Sequence, residues 1–279
     1  MNLIRVIPAE GSFMPDLHIA DTFHHMASHR PLVHHITNWV TIYQCAQVTR
    51  SWGCLPVMAH AAEEAAEMAS LAGALVLNIG TLTPDLVDAM EKAARAAHAK
   101  GIPVVLDAVG AGATKLRTVE CQALIDTGTI SVIKGNAGEI ATLAGVKAEV
   151  RGVESISSEG SVPDTARRLA SAAKAVVVVT GKTDFVSDGA RAWSLDYGHA
   201  LMGKVVGTGC ASSSTVGCFA ATGGDLLEKC AMAMAAYGRS GELTAEEVHD
   251  AGRFWEVFYN KIEKLATRSE GLVLHAKEI

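Results

Sequence analysis

Short apolar runs alternate with helical stretches along most of this chain. Four runs show almost no polar alternation, which is typical of parallel strands buried on both faces of a sheet. They cover residues 73–79, 103–107, 130–134 and 175–180. Each run carries a polar residue at or near its end, and these are Asn78, Asp107, Lys134 and Thr180. Ligands of open parallel sheets bind beyond the carboxyl ends of the strands, so we expect the four side chains to line one crevice.

Helical patterns fill the gaps between the runs. Thr83 caps a helix that has Pro84 at its first position and ends at Gly101. Further helices are predicted over residues 38–50, 61–71 and 163–173, and three more between 210 and about 265, with breaks near 223–224 and at Gly241. A hairpin is predicted over 185–187 and 191–195, and segment 147–162 is predicted to be a surface loop. The pattern indicates an α/β fold with a mostly parallel central sheet flanked by helices.

Composition limits the class of protein. The 279 residues are 49% hydrophobic and 19% charged, which is enough apolar material for a large core. No linker divides the chain, so we predict a single domain over residues 23–279 and an N-terminal extension over 1–22. The net charge of −6 argues against a protein that binds nucleic acid. Six cysteines without a C-x-x-C pair indicate reduced, mostly buried thiols and a cytoplasmic location.

The uncharged stretch 205–224 is long enough to cross a membrane. It contains five glycines and six Ser or Thr residues, which argues against a spanning helix, and we expect no membrane partner. Within it, residues 204–215 read KVVGTGCASSST, with a helix predicted to start at Cys210. Glycines that align backbone N–H groups ahead of a helix N-terminus can hold a phosphate, although a tight turn before a core helix has the same pattern.

Cys210 occupies the start of that predicted helix. A helix N-terminus favours the thiolate of a cysteine, so Cys210 is a candidate base for a substrate hydroxyl. The alternative is a small apolar helix residue, as we expect for Cys218.

Two carboxylates and a lysine follow the central strands. Asp107 and Glu139 are candidates to hold Mg²⁺ through water molecules, and Lys134 is a candidate to meet a nucleotide phosphate. Glu139 could instead complete a capping box with Asn136, and Asp107 could cap a turn. Thr180 and the following glycine could contact a nucleotide or lead into the predicted hairpin.

Other nucleotide and metal motifs are weaker. The Gly-x-Gly pairs lie deep in the chain, without the strand-end acid of a dinucleotide fold, and the G-x-x-x-x-G-K-[ST] pattern is absent. Residues 24–25 and 34–35 are adjacent histidine pairs, which point apart on a regular element, so we expect surface or turn positions and no zinc site.

Taken together, the motifs resemble those of the hydroxyethylthiazole kinase family, in the ribokinase-like superfamily. The matching segments keep the family's order and are PLVHHITNWV (31–40), LPVMA (55–59), ALVLNIGTL (74–82), PVVLDAVGAGAT (103–114), IKGNAGEIATLAG (133–145), VVTGKTDFVSDG (178–189) and KVVGTGCASSSTVGCFAA (204–221). The cysteine after Gly-Thr-Gly distinguishes this family within the superfamily. The resemblance implies a three-layer sandwich and ATP-dependent phosphorylation of the hydroxyethyl group of 4-methyl-5-(2-hydroxyethyl)thiazole, a step of thiamine salvage.

The resemblance also implies residue roles. The positions that line the substrate site are Met58, Gly207 and, nearby, Asn38. The positions that contact ATP are Lys134, Thr180 and Gly209. Asp107 and Glu139 would form the magnesium site, and Cys210 would face the reacting hydroxyl. The family is cytoplasmic and homotrimeric, with thiazole pockets between subunits.

Three departures from the family pattern stand out. Ala108 replaces a usual proline, Lys134 replaces an arginine, and residues 43–47 keep only the alanine of the usual Asn-x-x-Ala-Asn. The last segment lies near the expected thiazole pocket, which leaves three alternatives open. They are a related kinase for another heterocyclic or sugar-like alcohol, a dehydratase of hydrated nicotinamide nucleotides, and a non-catalytic thiazole- or nucleotide-binding paralogue. The dehydratase branch needs aspartate where Cys210 stands, which argues against it.

Overall fold

A nine-stranded sheet forms the centre of the computed structural model, which describes residues 16–146, 161–268 and 272–279. In chain order, the strands of the described residues are β1 (Asp16–Leu17), β2 (Leu32–Ile36), β3 (Leu55–Val57), β4 (Ala74–Asn78), β5 (Val104–Asp107), β6 (Val132–Asn136), β7 (Val176–Thr180), β8 (Asp184–Ser187), β9 (Ala192–Leu195), β10 (Leu274–His275) and β11 (Lys277–Glu278). Strands β1 and β10 form a separate two-stranded sheet, and the other nine form the main sheet. Their order in the main sheet is β11-β9-β8-β7-β6-β5-β4-β2-β3. The six strands from β3 to β7 in this order pair in parallel, and β8, β9 and β11 are antiparallel.

Helices cover both faces of the sheet. They are α1 (Ala20–His29), α2 (Ile42–Ser51), α3 (Ala65–Leu71), α4 (Pro84–Ala99), α5 (Lys115–Asp126), α6 (Ala137–Leu143), α7 (Val162–Ala173), α8 (Thr208–Ala220), α9 (Leu226–Ala245) and α10 (Phe254–Thr267). One apolar core lies between the sheet and α1, α2, α8, α9 and α10, and a second lies between the opposite face and α3 to α7. The predicted three-layer α/β fold is confirmed.

Helix α8 approaches the sheet closely where it crosses β4. A Cβ atom on Gly217 would stand 2.5 Å from Val76 Cγ2, so only glycine fits there without movement. This close packing holds the N-terminus of α8 over the carboxyl ends of the central strands. Among the residues that the structure describes, no helix has the length and hydropathy required to cross a membrane.

Local signals located several elements correctly. Thr83 caps α4, with its side chain accepting from Leu86 N at 3.3 Å, and the 185–195 hairpin is present as β8 and β9. The helix predicted from residue 38 begins at Ile42 instead. The reason is that Asn38 Oδ1 accepts from the N–H groups of Val40 and Thr41, which holds a turn ahead of the helix.

Two other predictions were wrong. Gly241 lies inside α9 and does not break it, and Met202 packs so closely on it that a Cβ atom there would stand 2.2 Å from Met202 Sδ. His34 and His35 are fully buried in β2, not at the surface. His34 Nε2 lies 2.9 Å from the Ala59 carbonyl, and burial lowers the pKa of His35 to about 3, so both serve as neutral core residues.

The limits of the domain remain a prediction. The boundary between residues 22 and 23 falls inside α1, and β1 pairs with β10. Residues 1–15, and residues 147–160 of the predicted surface loop, lie outside the described residues.

Candidate active site

A glycine turn positions the N-terminus of α8. Gly207 caps the helix with a φ of +95°, and a Cβ atom there would stand 3.0 Å from Thr41 Cγ2, so both conformation and space require glycine. Thr208 Oγ1 donates to the Met202 carbonyl at 2.9 Å, which fixes the turn. The helical ladder starts with Ala211 N donating to Gly207 O, so the N–H groups of residues 208–210 precede it and are free to bind an anion. The helix begins two residues before its predicted start.

Cys210 lies in this first turn and is the only cysteine in the described parts of the chain that is not buried. Its Sγ lies 3.4 Å from Asn38 Nδ2, which donates to it. Burial makes a thiol harder to ionise, and for Cys45 desolvation raises the pKa to about 11. The position and the donor make Cys210 the thiol suited to meet a substrate hydroxyl.

Asp107 and Lys134 form a buried ion pair beneath the turn. They are register partners on β5 and β6, and Lys134 Nζ lies 3.2 Å from Asp107 Oδ1. Lys134 Nζ also donates to the Gly209 carbonyl at 2.8 Å, so the pair reaches the first turn of α8. Burial alone would lower the pKa of Lys134, but Asp107, Cys210 and Glu139 together raise it, and the lysine keeps its charge.

Two asparagines connect this ion pair to Cys210. Asn78 Nδ2 donates to Asp107 Oδ2 at 2.8 Å, and Asn38 Nδ2 donates to Asn78 Oδ1 at 2.9 Å. Both asparagines are almost fully buried. The sequence identifies Asn78 as a polar strand-end residue but assigns it no role. The structure shows which groups its side-chain amide connects.

Glu139 sits beside this cluster on α6. The predicted capping box is present, with Glu139 Oε2 accepting from Asn136 N at 2.7 Å. Glu139 Oε1 accepts from Gly110 N at 2.8 Å, which ties the carboxylate to the glycine turn after β5. Burial raises the pKa of Glu139, and its backbone hydrogen bonds oppose that shift. The capping box and the predicted metal role therefore involve the same carboxylate.

The donor set is compatible with magnesium. Each carboxylate oxygen of Asp107 and Glu139 already accepts one hydrogen bond from the protein. Within the described residues, no group of three or more Asp, Glu, His or Cys side chains surrounds a common point. Magnesium usually takes only one or two carboxylates and completes its shell with water and substrate phosphates, so two carboxylates suffice.

Thr180 lies farther out along the same edge. It pairs in register with Asn136, two residues beyond Lys134, and its hydroxyl donates to the Gly135 carbonyl at 3.4 Å. The turn that follows is held by Asp184, whose Oδ1 accepts from Gly181 N at 2.9 Å. Burial raises the pKa of Asp184 to about 7. This carboxylate supports the turn and was not singled out from the sequence.

Met58 is half-buried and lies after the edge strand β3. His60 connects it to the end of β2, since its Nε2 accepts from Thr37 N at 3.2 Å and its Nδ1 lies 3.2 Å from the Met58 carbonyl. The Trp39 ring lies against His60 at a centroid distance of 4.7 Å, with the two ring planes tilted by 34°, and Trp39 is itself 56% exposed. The segment thus places Met58 near Asn38, whereas no described hydrogen bond joins it to Cys210.

Enclosed space is found elsewhere in the molecule. A cavity of about 260 Å³ lies between α1, α2 and α10, and Phe23, Arg50 and Trp52 are among its lining residues. None of the predicted site residues lines it. The chemistry of the side chains at the strand ends therefore identifies the candidate site, and the position of this cavity does not.

The overall fold identifies the structural class to which the chain belongs. The three-layer fold is similar to that of a ribokinase-like superfamily protein from Enterococcus faecalis V583, with a TM-score of 0.61, 12% identity and coverage of 94% of this chain and 90% of that one. The chain therefore has the ribokinase-like fold.

Comparison of the sequence with protein families identifies the chain more specifically than the fold does. The model of the hydroxyethylthiazole kinase family matches residues 23–268, and the chain belongs to this family of phosphotransferases. It is 49% identical over 237 residues to the hydroxyethylthiazole kinase of Methanosarcina acetivorans, covering 85% of this chain and 91% of the relative. It is 52% identical over 230 residues to that of Rubrobacter xylanophilus, covering 82% and 85%. The hydroxyethylthiazole kinase structure from Pyrococcus horikoshii OT3 matches with a TM-score of 0.83 and 34% identity, covering 94% of this chain and 98% of that one.

Proposed function

We propose that this protein transfers the γ-phosphoryl group of ATP to the hydroxyethyl group of 4-methyl-5-(2-hydroxyethyl)thiazole. Membership of the hydroxyethylthiazole kinase family supports this reaction. The observation that carries it is the 2.8 Å contact between Lys134 Nζ and the Gly209 carbonyl. That contact joins a charged strand-end pair to the amide groups and thiol of the first turn of α8.

The reaction needs positioning more than covalent chemistry. The transition state of phosphoryl transfer is loose, so charge neutralisation and alignment supply most of the rate. The substrate oxygen bonds to the γ-phosphorus while the bond to the β–γ bridging oxygen breaks and ADP leaves. Cys210 orients the hydroxyl and accepts its proton late in the step, and the N–H groups of residues 208–210 hold the transferring oxygens.

ATP binds, in this proposal, along the edge formed by Lys134, Thr180 and Gly209. Lys134 has three N–H donors, of which Asp107 and Gly209 take two, so one remains for a phosphate oxygen. Thr180 lies two register positions farther out, which suits contact with a more distant part of the nucleotide.

Magnesium is the proposed metal. Asp107 and Glu139 would hold it, largely through water molecules because their oxygens already accept protein hydrogen bonds. When bound, the ion supplies positive charge that neutralises the triphosphate. The chain's own contribution is to fix both carboxylates through Asn78, Gly110 and the capping box.

The thiazole site is proposed to include Met58, Gly207 and Asn38, completed by a second subunit of a cytoplasmic homotrimer. Exposed apolar side chains beside these residues support an interface, and they are Trp39, Val40, Tyr43 and Val206. All six cysteines are free thiols, which is compatible with a reducing compartment. The phosphorylated product would feed thiamine biosynthesis.

The decisive experiment incubates the purified chain with ATP, Mg²⁺ and the thiazole alcohol and analyses the mixture by mass spectrometry. The proposal expects ADP and a phosphate ester of the alcohol. Formation of ADP only with a different alcohol in a substrate panel would indicate the related kinase. Calorimetric binding of the thiazole without ADP release would indicate the non-catalytic paralogue.

A further inference from the structure

Asn78 makes three hydrogen bonds at the centre of the candidate site, although it is 1% exposed and lines no substrate position. Its Oδ1 accepts from Asn38 Nδ2 and from Gly80 N, each at 2.9 Å. Its Nδ2 donates to Asp107 Oδ2 at 2.8 Å. The amide thereby joins the end of β4 to the chain after β2 and to the end of β5.

These partners leave only one orientation for the Asn78 amide. The Gly80 N–H group can only donate, and an ionised Asp107 carboxylate can only accept. A flipped amide would place its NH₂ group against the Gly80 N–H and its oxygen against the carboxylate. Lys134 Nζ donates to the other oxygen of Asp107 at 3.2 Å, so both carboxylate oxygens act as acceptors. The ion pair therefore fixes which way Asn78 points.

Asn78 in turn fixes Asn38. Asn38 Oδ1 accepts from the N–H groups of Val40 and Thr41, and its NH₂ group faces the oxygen of Asn78 at 2.9 Å. The same NH₂ group has two N–H bonds, and one is directed at Asn78. The other has two acceptors in reach, which are Thr41 Oγ1 at 2.9 Å and Cys210 Sγ at 3.4 Å. A chain of oriented groups thus runs from the ion pair to a donor that Thr41 and the Cys210 sulfur share.

We propose that Asn78 is a positioning residue for Cys210, acting through Asn38 to present an N–H donor to the Cys210 sulfur. The catalytic part of the inference rests on the proposed function, whereas the effect on the thiol does not. Hydrogen-bond donors to sulfur generally favour the thiolate of a cysteine over the thiol, and the thiolate is the reactive form.

The kinetic test compares Asn78→Ala with the exposed Asn260→Ala, which serves as the matched control. Asn78→Ala is expected to lower kcat by about 10²-fold through misplacement, and the control to match the unaltered chain. In a Cys210→Ala background, the same Asn78 substitution should change kcat little, because the positioned group is gone. Full additivity of the two effects would overturn the inference and indicate a structural role.

A second measurement needs no activity. The other five cysteines are buried, so iodoacetamide should label Cys210 first, and peptide mass analysis identifies the labelled site. We expect several-fold slower alkylation of Cys210 in Asn78→Ala, and in the milder Asn78→Ser, than in the unaltered chain or Asn260→Ala at the same pH. An unchanged rate in folded variants would overturn the inference. If the unaltered chain makes no thiazole phosphate, the proposed function fails, and this comparison still decides the role of Asn78.

Discussion

The buried pair of Lys134 and Asp107 allows a quantitative prediction. Their side chains are 4% and 1% exposed, with Nζ and Oδ1 3.2 Å apart. Substituting Lys134→Met removes the cation and leaves the Asp107 charge buried, with Asn78 as its remaining described donor. Breaking a buried pair from one side destabilises proteins by about 3–5 kcal/mol. We expect the free energy of unfolding to fall by about 3 kcal/mol or more.

The assay is chemical denaturation followed by circular dichroism at neutral pH. The matched control is Lys92→Met, which breaks an exposed pair with Asp88 at 2.7 Å on α4 and should change the free energy of unfolding far less, because solvent screens the pair. Adding Asp107→Asn to Lys134→Met removes the uncompensated charge and should recover part of the loss. A Lys134→Met variant as stable as the Lys92→Met control would refute the reasoning.

The pH dependence of this contribution follows from the direction of the lysine shift. The pKa of Lys134 is raised in the folded chain above its ordinary value of 10.5. A group whose pKa rises on folding stabilises the protein at all pH values below its unfolded pKa. The stability difference between the unaltered chain and Lys134→Met should therefore persist through neutral pH and shrink only in strongly alkaline solution.

Four further outcomes are expected. Cys210→Ala should lower kcat by about 10²-fold or more with KM for ATP nearly unchanged, while the buried Cys218→Ala keeps the kcat of the unaltered chain; coupled ADP detection measures both. Glu139→Gln should raise the Mg²⁺ concentration needed for half-maximal rate, which a titration against initial rate reads directly. Gly217→Ala should lower the unfolding free energy by about 1–3 kcal/mol through its clash with Val76, measured by denaturation. Because burial raises the pKa of Asp184 to about 7, the contribution of Asp184 to stability should fall as pH rises from about 4 to 7, and the melting temperature of Asp184→Asn relative to the unaltered chain should rise over that range.

Part of the fold can be predicted from the sequence because it depends on interactions between residues close together in the chain. Buried parallel strands need apolar residues on both faces, so their runs stand out wherever they occur. Caps are equally local, since Thr83 and the pair of Asn136 and Glu139 satisfy N–H groups within three residues. These features need no knowledge of the tertiary structure.

The wrong predictions for Gly241 and for the histidine pair in β2 share one physical cause, which is tertiary contact. Gly241 carries a helix-breaking tendency, yet Met202 packs against its bare backbone and the helix continues. His34 and His35 read as polar, but their partners come from distant segments; Ser214 Oγ lies 3.1 Å from His35 Nε2. A single sequence contains no local trace of such partners.

The candidate site likewise has one part that follows from strand register and another part that depends on tertiary packing. Once the strand order is known, parallel register alone places Asn78 beside Asp107 and Asp107 beside Lys134, because register partners project from the same face of the sheet. Asn38 and Cys210 are different, since one follows β2 in a turn and the other lies on a helix that crosses above the strands. Their 3.4 Å contact depends on how closely α8 approaches the sheet, which Gly217 permits. The charged half of the site is therefore a consequence of strand topology, whereas the thiol half depends on helix packing, and a packing substitution such as Gly217→Ala should disturb Cys210 before it disturbs the ion pair.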